Sequence, residues 1–336
     1  MSKHTTISLC AADVEHHRNG FRDWVNLEMD LGGPDPQVSL IVRMIKDSTW
    51  DLAERAWRAA CWVSIYTVAC GEMLWKELPS TVSDKEIRAA VDKVWPLLTI
   101  RMERRAIMSA PRLTRFLSSF RDWINDELFE LDRADYEAIW NSAREHIHFS
   151  GRYSTIKVLE VLRRLEVVSA ALPDLRPDGA WSPRLTLSFL RPDKDAVLNG
   201  GNSAETLAEV LDIFEDMRTE MNPFIGRPQP LDPFTFEVSL CNYRQSLKTK
   251  YPGRGHDSEL ACYKKTEPYW KYSGHTSAFL ITRYMMWDRR CLGELHGWNA
   301  VRKEVGETIA QHGYYWSDLV YDYTRTTDLA HPVRWD

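Results

Sequence analysis

The spacing of apolar residues predicts helices along most of the chain. In residues 51–77, the side chains of Leu52, Ala56, Ala60 and Val63 recur at intervals of three and four, the period of a helix with one buried face. The same spacing predicts further helices at 36–47, 83–94, 97–109, 111–125, 133–148, 154–171, 203–220, 234–249, 276–291 and 298–311. The pattern therefore predicts a mainly α protein with little strand.

Two stretches interrupt the helical pattern. Residues 173–202 and 222–233 are rich in proline, glycine and aspartate, which predicts loops. Within the first of them, residues 181–190 alternate enough to suggest a small extended pair. These loops divide the chain into an N-terminal helical part, 1–172, and a C-terminal part, 173–336, and we expect both to pack into one compact body.

The composition is that of a water-soluble globular protein. Of 336 residues, 44% are apolar and 27% are charged, and the formal net charge is −5. No apolar run approaches the ~18 residues that span a bilayer, and the first residues lack the apolar segment of a signal peptide. The six cysteines form no CxxC pair and no zinc-site spacing, so we expect free thiols in a reducing cytoplasm, with no metal and no cofactor.

The stretch from 237 to 259 concentrates candidate chemistry. On a helix, Glu237, Cys241, Arg244 and Lys248 share one face, and Arg254 follows in a Pro-Gly turn. This face has two interpretations, a solvated surface or a site for an anion that arginine and lysine would bind. Three acid–base side chains follow directly, and they are either catalytic groups or the cap of the next helix: His256, Asp257 and Glu259.

Two other basic clusters stand out against the acidic net charge. Residues 101–121 hold six arginines and one glutamate, and Arg101, Arg104 and Arg105 form the predicted contact with a polyanion. Residues 144–157 pass from one predicted helix to the next through Gly151. Such an entry presents backbone N–H groups to a phosphate. This second cluster supplies Arg144 and His148 as candidate DNA contacts and Arg152 and Lys157 as candidate phosphate contacts.

Several common active-site motifs are missing from the sequence. It has no GxxxxGK[ST], no GxGxxG after a strand, no GxSxG, no HExxH and no zinc-deaminase signature. Nucleotide hydrolysis through a P-loop, hydride transfer, serine hydrolysis and zinc chemistry therefore lack support.

Taken together, the motifs resemble those of the phage amino acid:DNA transferases, also called glutamyl- or putrescinyl-thymine pyrophosphorylases. The resemblance covers most of the chain in one order and excludes the first 19 residues and the tail after about 315. It is carried by GGPDP (32–36), the RAxxxxSIYTV…LW segment (58–75), RMERR (101–105), GRYSTIK (151–157), WSPRLTLSFLRP (181–192) and LCNYRQSLKTKYPGRGHDSEL (240–260).

The resemblance implies a helical architecture similar to helix-hairpin-helix DNA glycosylases and a role in thymine hypermodification in the host cytoplasm. The substrate would be double-stranded phage DNA whose 5-hydroxymethyluracil carries a pyrophosphate, which an amino acid or polyamine replaces. Cations must then hold the leaving pyrophosphate, a base must take the proton of the amine, and the target base must leave the stack. Trp181, Tyr243 and Trp270 are candidate walls around that flipped base.

Two other functions remain open at this point. A DNA base glycosylase or lyase on a similar scaffold would use a carboxylate and a lysine, for which Asp257 and Lys264 are available. A non-catalytic phage DNA-binding protein would explain the arginines alone.

Overall fold

The computed structural model describes residues 10–30, 34–46, 49–78, 82–100, 106–169, 173, 175, 181–201, 203–226, 231–247, 262, 265, 266 and 269. These residues are mainly helical and include no strand, which confirms the predicted fold class. The helices are α1 (Ala11–Asp30), α2 (Pro36–Lys46), α3 (Leu52–Ile65), α4 (Val68–Glu77), α5 (Asp84–Val94), α6 (Ala110–Trp123), α7 (Tyr136–His146), α8 (Arg152–Arg164), α9 (Trp181–Leu190), α10 (Asp195–Leu198), α11 (Ala204–Ile225) and α12 (Pro233–Ser246). Within the described ranges, every helix is too short or too polar to cross a lipid bilayer.

The contacts between helices divide the chain into two compact units. Unit 1 contains α1 together with α9–α12, and unit 2 contains α2–α8 with the described positions 262–269. The division at residue 172 predicted from the sequence differs from this grouping at α1 and at those late positions. Helix α1 was also absent from the predicted elements, and it packs against α9, α11 and α12.

Helix α3 forms the centre of unit 2. It begins with a capping box in which Asp51 and Glu54 satisfy each other's backbone N–H groups. Every residue from 56 to 65 is buried, because α4, α6 and α8 pack around it. Tyr66 then adopts a left-handed conformation, with φ of 61°, and ends the helix. The segment 51–77 is therefore two helices with a break at 66–67.

The predicted extended pair at 181–190 is wrong, because these residues form α9. The helix is buried on most of its surface against α12 and α1, so its sequence lacks the polar face of an amphipathic helix. The Thr186 hydroxyl donates a hydrogen bond to the Leu240 carbonyl, at 2.8 Å, and fixes α9 on α12. The buried Arg184 guanidinium donates to the carbonyls of Leu175, Val197 and Leu198. Residue 184 thereby holds α9 against the end of α10.

Other boundaries differ locally from the predictions. The predicted helix 97–109 is wrong at residues 98–100, which are extended or irregular, and Ser109 instead caps the start of α6. The predicted loop 222–233 begins too early, since α11 continues through Pro223 to Ile225. The predicted helices at 276–291 and 298–311 lie outside the described residues.

Candidate nucleic-acid interface

Helices α7 and α8 form a hairpin joined by residues 147–151. Phe149 in this turn has a φ of 61°, in the left-handed region that costs a residue other than glycine roughly 1 kcal/mol. Gly151 is the N-cap of α8. The hydroxyls of Ser150 and Thr155 lie 3.0 Å apart, and Thr155 also donates to the Gly151 carbonyl at 3.1 Å. This local network holds the turn in its unusual conformation.

The turn is also anchored to α6. The backbone N–H of His148 donates a hydrogen bond of 2.9 Å to the Ser119 hydroxyl, which itself donates to the Phe116 carbonyl at 3.0 Å. Ile147 is buried beneath the turn. The positions of His148 and Phe149 relative to α6 are therefore fixed by a hydrogen bond and by core packing.

Two exposed arginines of α6 converge on the turn. The guanidinium carbons of Arg112 and Arg115 each lie 5.8 Å from the centre of the Phe149 ring, within the range of a cation–π contact. The exposed His148 ring lies 6.2 Å from the same ring. We call these four side chains, together with the first turn of α8, the hairpin surface.

The helix end adds its own positive potential to this surface. The first N–H groups of an α-helix have no partner within the helix, and the helix dipole places a partial positive charge there. Gly151 supplies no capping side chain, and the first turn of α8 contains no acidic residue. This arrangement favours a bound anion, and beside two guanidinium groups it suits the phosphates of a nucleic acid.

The other candidates of the 144–157 cluster are placed differently. Arg144 is exposed, with its guanidinium 5.9 Å from the Trp140 ring, and Arg152 is half-buried. Lys157 is buried, and its Nζ donates to Glu160 at 2.7 Å. The ammonium group of Lys157 is thus engaged by a carboxylate of its own helix, so its role in phosphate binding stays a prediction without geometric support.

The candidate anion face on α12 belongs to unit 1. Glu237, Cys241 and Arg244 are half-buried at helical spacing, and α12 ends at Ser246. Burial lowers the pKa of Arg244, and its Nε is buried with no hydrogen-bond partner in the part of the chain that the structure describes. A guanidinium whose Nε–H has no described partner can donate a hydrogen bond to an anionic ligand. The other predicted site residues lie outside the described residues: Lys248, Arg254, His256, Asp257, Glu259, Arg101, Arg104 and Arg105.

The candidate base-stacking residues are only partly accessible. Tyr243 is buried in unit 1, and its hydroxyl lies 3.2 Å from Nδ1 of His17. It therefore forms part of the core rather than an open wall. Trp181 is 39% exposed at the start of α9, and Trp270 lies outside the described residues.

The sequence predicts a polyanion contact in the arginine-rich segment 101–121, but it does not single out Arg112, Arg115 or Phe149. On α6, Leu113 and Phe116 are buried, which leaves the arginines on the outer face. That amphipathic pattern was the available signal for their exposure. Their convergence on Phe149 depends on the packing of α6 against α7, which the sequence alone does not reveal.

No metal cluster supplements these groups, since no three His, Cys, Asp or Glu side chains among the described residues could hold an ion. Comparison of the chain with protein-family models, with curated proteins and with solved structures finds no match.

Proposed function

We propose that this protein binds double-stranded DNA through the hairpin surface and replaces the pyrophosphate of a modified uracil with an amine. The observation that carries the proposal is the convergence of Arg112 and Arg115 on Phe149, beside the uncapped start of α8. The second half of the proposal, the reaction, rests on the resemblance of the motifs to the amino acid:DNA transferases.

The DNA-binding half follows from electrostatics. Duplex DNA carries a negative charge every ~1.7 Å along its axis, and cations that approach it release condensed counterions. A protein with a net charge of −5 binds such a polymer only where its positive groups are gathered on one surface. The hairpin surface gathers two guanidinium groups, an imidazole and a helix dipole. Contacts of this kind position a duplex without reading its sequence.

The chemical half requires three roles. A C–N bond forms at the 5-methylene carbon, the C–O bond to pyrophosphate breaks with its electron pair leaving on oxygen, and the amine nitrogen loses a proton. Arg244, with its Nε unpaired by any described residue, is the described cation best suited to the leaving pyrophosphate. His256, Asp257 and Glu259, which lie outside the described residues, remain the predicted acid–base groups.

DNA binding is tested by anisotropy of a labelled duplex at several salt concentrations. We expect the double variant Arg112→Ala/Arg115→Ala to weaken binding and to flatten the plot of log K against log salt by up to about 1.8, since each lost phosphate contact removes about 0.9. The double variant Lys85→Ala/Arg88→Ala is the matched control, because it removes two exposed cations from α5 of the same unit. Equal salt slopes in the two double variants would exclude the hairpin surface as the interface.

The reaction is tested by product. The protein is incubated with duplex DNA containing pyrophosphorylated 5-hydroxymethyluracil and a mixture of glycine, serine, glutamate and putrescine. The masses of the resulting nucleosides are then measured by mass spectrometry. A heavier nucleoside with free pyrophosphate supports the transferase. Abasic sites would instead identify a glycosylase, and unchanged DNA would identify a non-catalytic binding protein.

Arg244 is tested in the same assay. We expect Arg244→Ala to release pyrophosphate more than tenfold more slowly while the fold persists. Arg22→Ala is the control, because this α1 guanidinium is already bonded to Asp23 at 2.8 Å. Unchanged release by Arg244→Ala would remove this residue from the mechanism.

A further inference from the structure

Two thiols from distant parts of the sequence meet inside unit 2. Cys70 lies on α4, and Cys262 lies in the late segment that contains the described positions 262–269; both are 0% exposed and neither is in a disulfide. The Cys262 thiol donates a hydrogen bond to the sulfur of Cys70. Two thiols in direct contact are the starting arrangement for a disulfide. The proposed transfer reaction makes no use of this pair.

Contacts beside the thiols hold the late segment on unit 2. Lys265 Nζ donates a hydrogen bond of 2.7 Å to the Leu98 carbonyl. The Tyr269 hydroxyl donates one of 2.7 Å to Oε1 of Glu77, at the end of α4. Cys262, Lys265 and Tyr269 are helical and spaced by three and four residues, so they share one face. Hydrogen bonds from that same face therefore fix the position of Cys262 independently of its thiol.

The surroundings of Cys70 favour its thiolate. The hydrogen bond from Cys262 has the largest effect on the pKa of Cys70 and lowers it, whereas burial opposes this change. The Thr67 hydroxyl and the backbone N–H of Thr99, which donates to Cys70 Sγ at 3.5 Å, also lower the pKa. The charge of Lys265 adds to their effect. Because the thiolate is the nucleophilic form of cysteine, Cys70 is the reactive member of the pair.

Cys61 of α3 shows that burial by itself has the opposite effect. Its thiol is as buried as that of Cys70, and burial, with the nearby charge of Glu72, raises its pKa. Cys61 therefore remains a protonated thiol at neutral pH. The difference between these two equally buried cysteines lies in the donors around the sulfur of Cys70, so Cys61 provides an internal control for reactivity.

We propose that Cys70 and Cys262 form a reversible disulfide, with a peroxide as the oxidant. The Cys70 thiolate attacks one peroxide oxygen, the O–O bond breaks, and hydroxide leaves and takes up the proton that Cys70 released, while Cys70 becomes a sulfenic acid. The Cys262 sulfur then attacks the Cys70 sulfur, the S–O bond breaks, and the oxygen leaves as water with the proton of Cys262. Two thiols and one hydrogen peroxide thus give one disulfide and two molecules of water.

The location of the pair gives this bond a structural consequence. Thr99 is half-buried and Lys265 is exposed, so the pair lies close to the surface, and a small oxidant reaches it by local opening. The disulfide would add a covalent tie between α4 and the segment that directly follows the predicted acid–base residues at 256–259. In a reducing compartment such bonds are transient and respond to oxidants. The proposal is independent of the transfer reaction.

Peptide mapping of the full chain tests the proposal. The protein is treated with hydrogen peroxide, denatured in N-ethylmaleimide to block the remaining thiols, digested without reductant and analysed by mass spectrometry. We expect a linked pair of peptides that contain Cys70 and Cys262, lighter by two hydrogen atoms than the separate peptides together, and we expect dithiothreitol to remove the link. Cys61 should be recovered as an alkylated thiol. An unmodified Cys70, sulfinic acid at Cys70 without the link, or equally fast oxidation of Cys61 would overturn the proposal.

Variants separate the roles of the two thiols. In Cys262→Ser, the Cys70 sulfenic acid has no thiol to react with, so we expect sulfinic acid at Cys70 in place of the link, which dithiothreitol does not reverse. Cys10→Ser removes an exposed thiol of unit 1 and is the matched control, which should form the Cys70–Cys262 link as the wild type does. Loss of the link in Cys10→Ser would contradict direct oxidation of the pair. The wild-type map decides the proposal even if Cys262→Ser does not fold.

Discussion

Each unit contains a buried glutamate, and the two are stabilised in opposite ways. Glu72 in unit 2 is 1% exposed and receives both Nε and Nη2 of Arg58, whose guanidinium lies 4.5 and 4.4 Å from the rings of Trp50 and Trp75. Glu28 in unit 1 is 5% exposed, yet its neighbours are an amide, a hydroxyl, an indole and the acidic Asp35. The two carboxyls are similarly buried, but Glu72 is paired with a cation, whereas Glu28 has neutral hydrogen-bonding neighbours and a nearby acidic residue.

The comparison teaches that burial alone does not set the charge of a carboxyl. A guanidinium with two parallel donors compensates the loss of water around a carboxylate, whereas neutral donors compensate it only partly. The pKa of Glu28 rises to about 8 for this reason. Unit 2 therefore contains a fixed ion pair, and unit 1 contains a group that changes its protonation close to neutral pH.

The largest expected effect comes from removing the cation in unit 2. Arg58→Ala leaves the carboxylate of Glu72 buried without its partner, and breaking a buried pair in this way costs about 3–5 kcal/mol. Urea unfolding followed by tryptophan fluorescence measures the change. The double variant Arg58→Met/Glu72→Met is the control, because it removes both charges and should recover much of the loss. If the single and double variants were equally unstable, packing rather than charge would explain the effect.

In unit 1 we expect a pH-dependent effect of Glu28. Its folded pKa lies above the ordinary value of 4.5, so its contribution to stability is fully present below pH 4.5 and is lost as pH rises through about 8. Relative to Glu28→Gln, the free energy of unfolding of the wild type should fall by at most about 1.4 kcal/mol per pH unit between pH 5 and 8. Urea unfolding at several pH values measures this difference. Parallel pH profiles for the two proteins would show that Glu28 is ionised in the folded state.

One glycine in each unit shows how much room the local packing leaves for an added methyl group. A Cβ on Gly71 in α4 would lie 2.8 Å from the Trp62 Cα, which is backbone of the central helix and cannot yield. A Cβ on Gly20 in α1 would lie 2.7 Å from the Tyr243 hydroxyl, which is the tip of a side chain and not backbone. We expect Gly71→Ala to destabilise by about 1–3 kcal/mol and Gly20→Ala to be within about 1 kcal/mol of wild type. Thermal melting measures the two variants. A lower melting temperature for Gly20→Ala than for Gly71→Ala would contradict this reasoning.

The smallest effect is expected at an exposed ion pair in unit 2. Lys46 Nζ lies 2.6 Å from Glu166 Oε1, but the two side chains are 46% and 64% exposed. Water and salt screen such a pair, so Lys46→Ala should change the free energy of unfolding by less than about 1 kcal/mol. A loss of unfolding free energy as large as that of Arg58→Ala, measured by the same urea unfolding, would show that exposed ion pairs stabilise this protein as much as buried ones.

Local sequence determined much of the helical structure. The capping pairs Asp51–Glu54 and Ser83–Glu86 act within one turn, so their spacing alone predicts where α3 and α5 begin. Amphipathic helices such as α5 are likewise predictable, because a polar face and an apolar face recur at the helical period. The arginine excess at 101–121 also predicts a polyanion-binding surface, because a count of charged residues needs no knowledge of their neighbours in space.

Tertiary structure decided the rest. The α9 segment 181–190 resembles strand because its neighbours bury nearly every face, which removes the polar stripe that identifies a helix. The choice of Arg112 and Arg115 for the hairpin surface depends on where the α7–α8 turn packs against α6. The protonation of Glu28 and the pairing of Glu72 depend on residues up to 214 positions away in sequence, as in the hydrogen bond from Asn242. Local spacing specifies hydrogen bonds within one helix turn, whereas charge and solvation depend on neighbours that only the folded chain brings together.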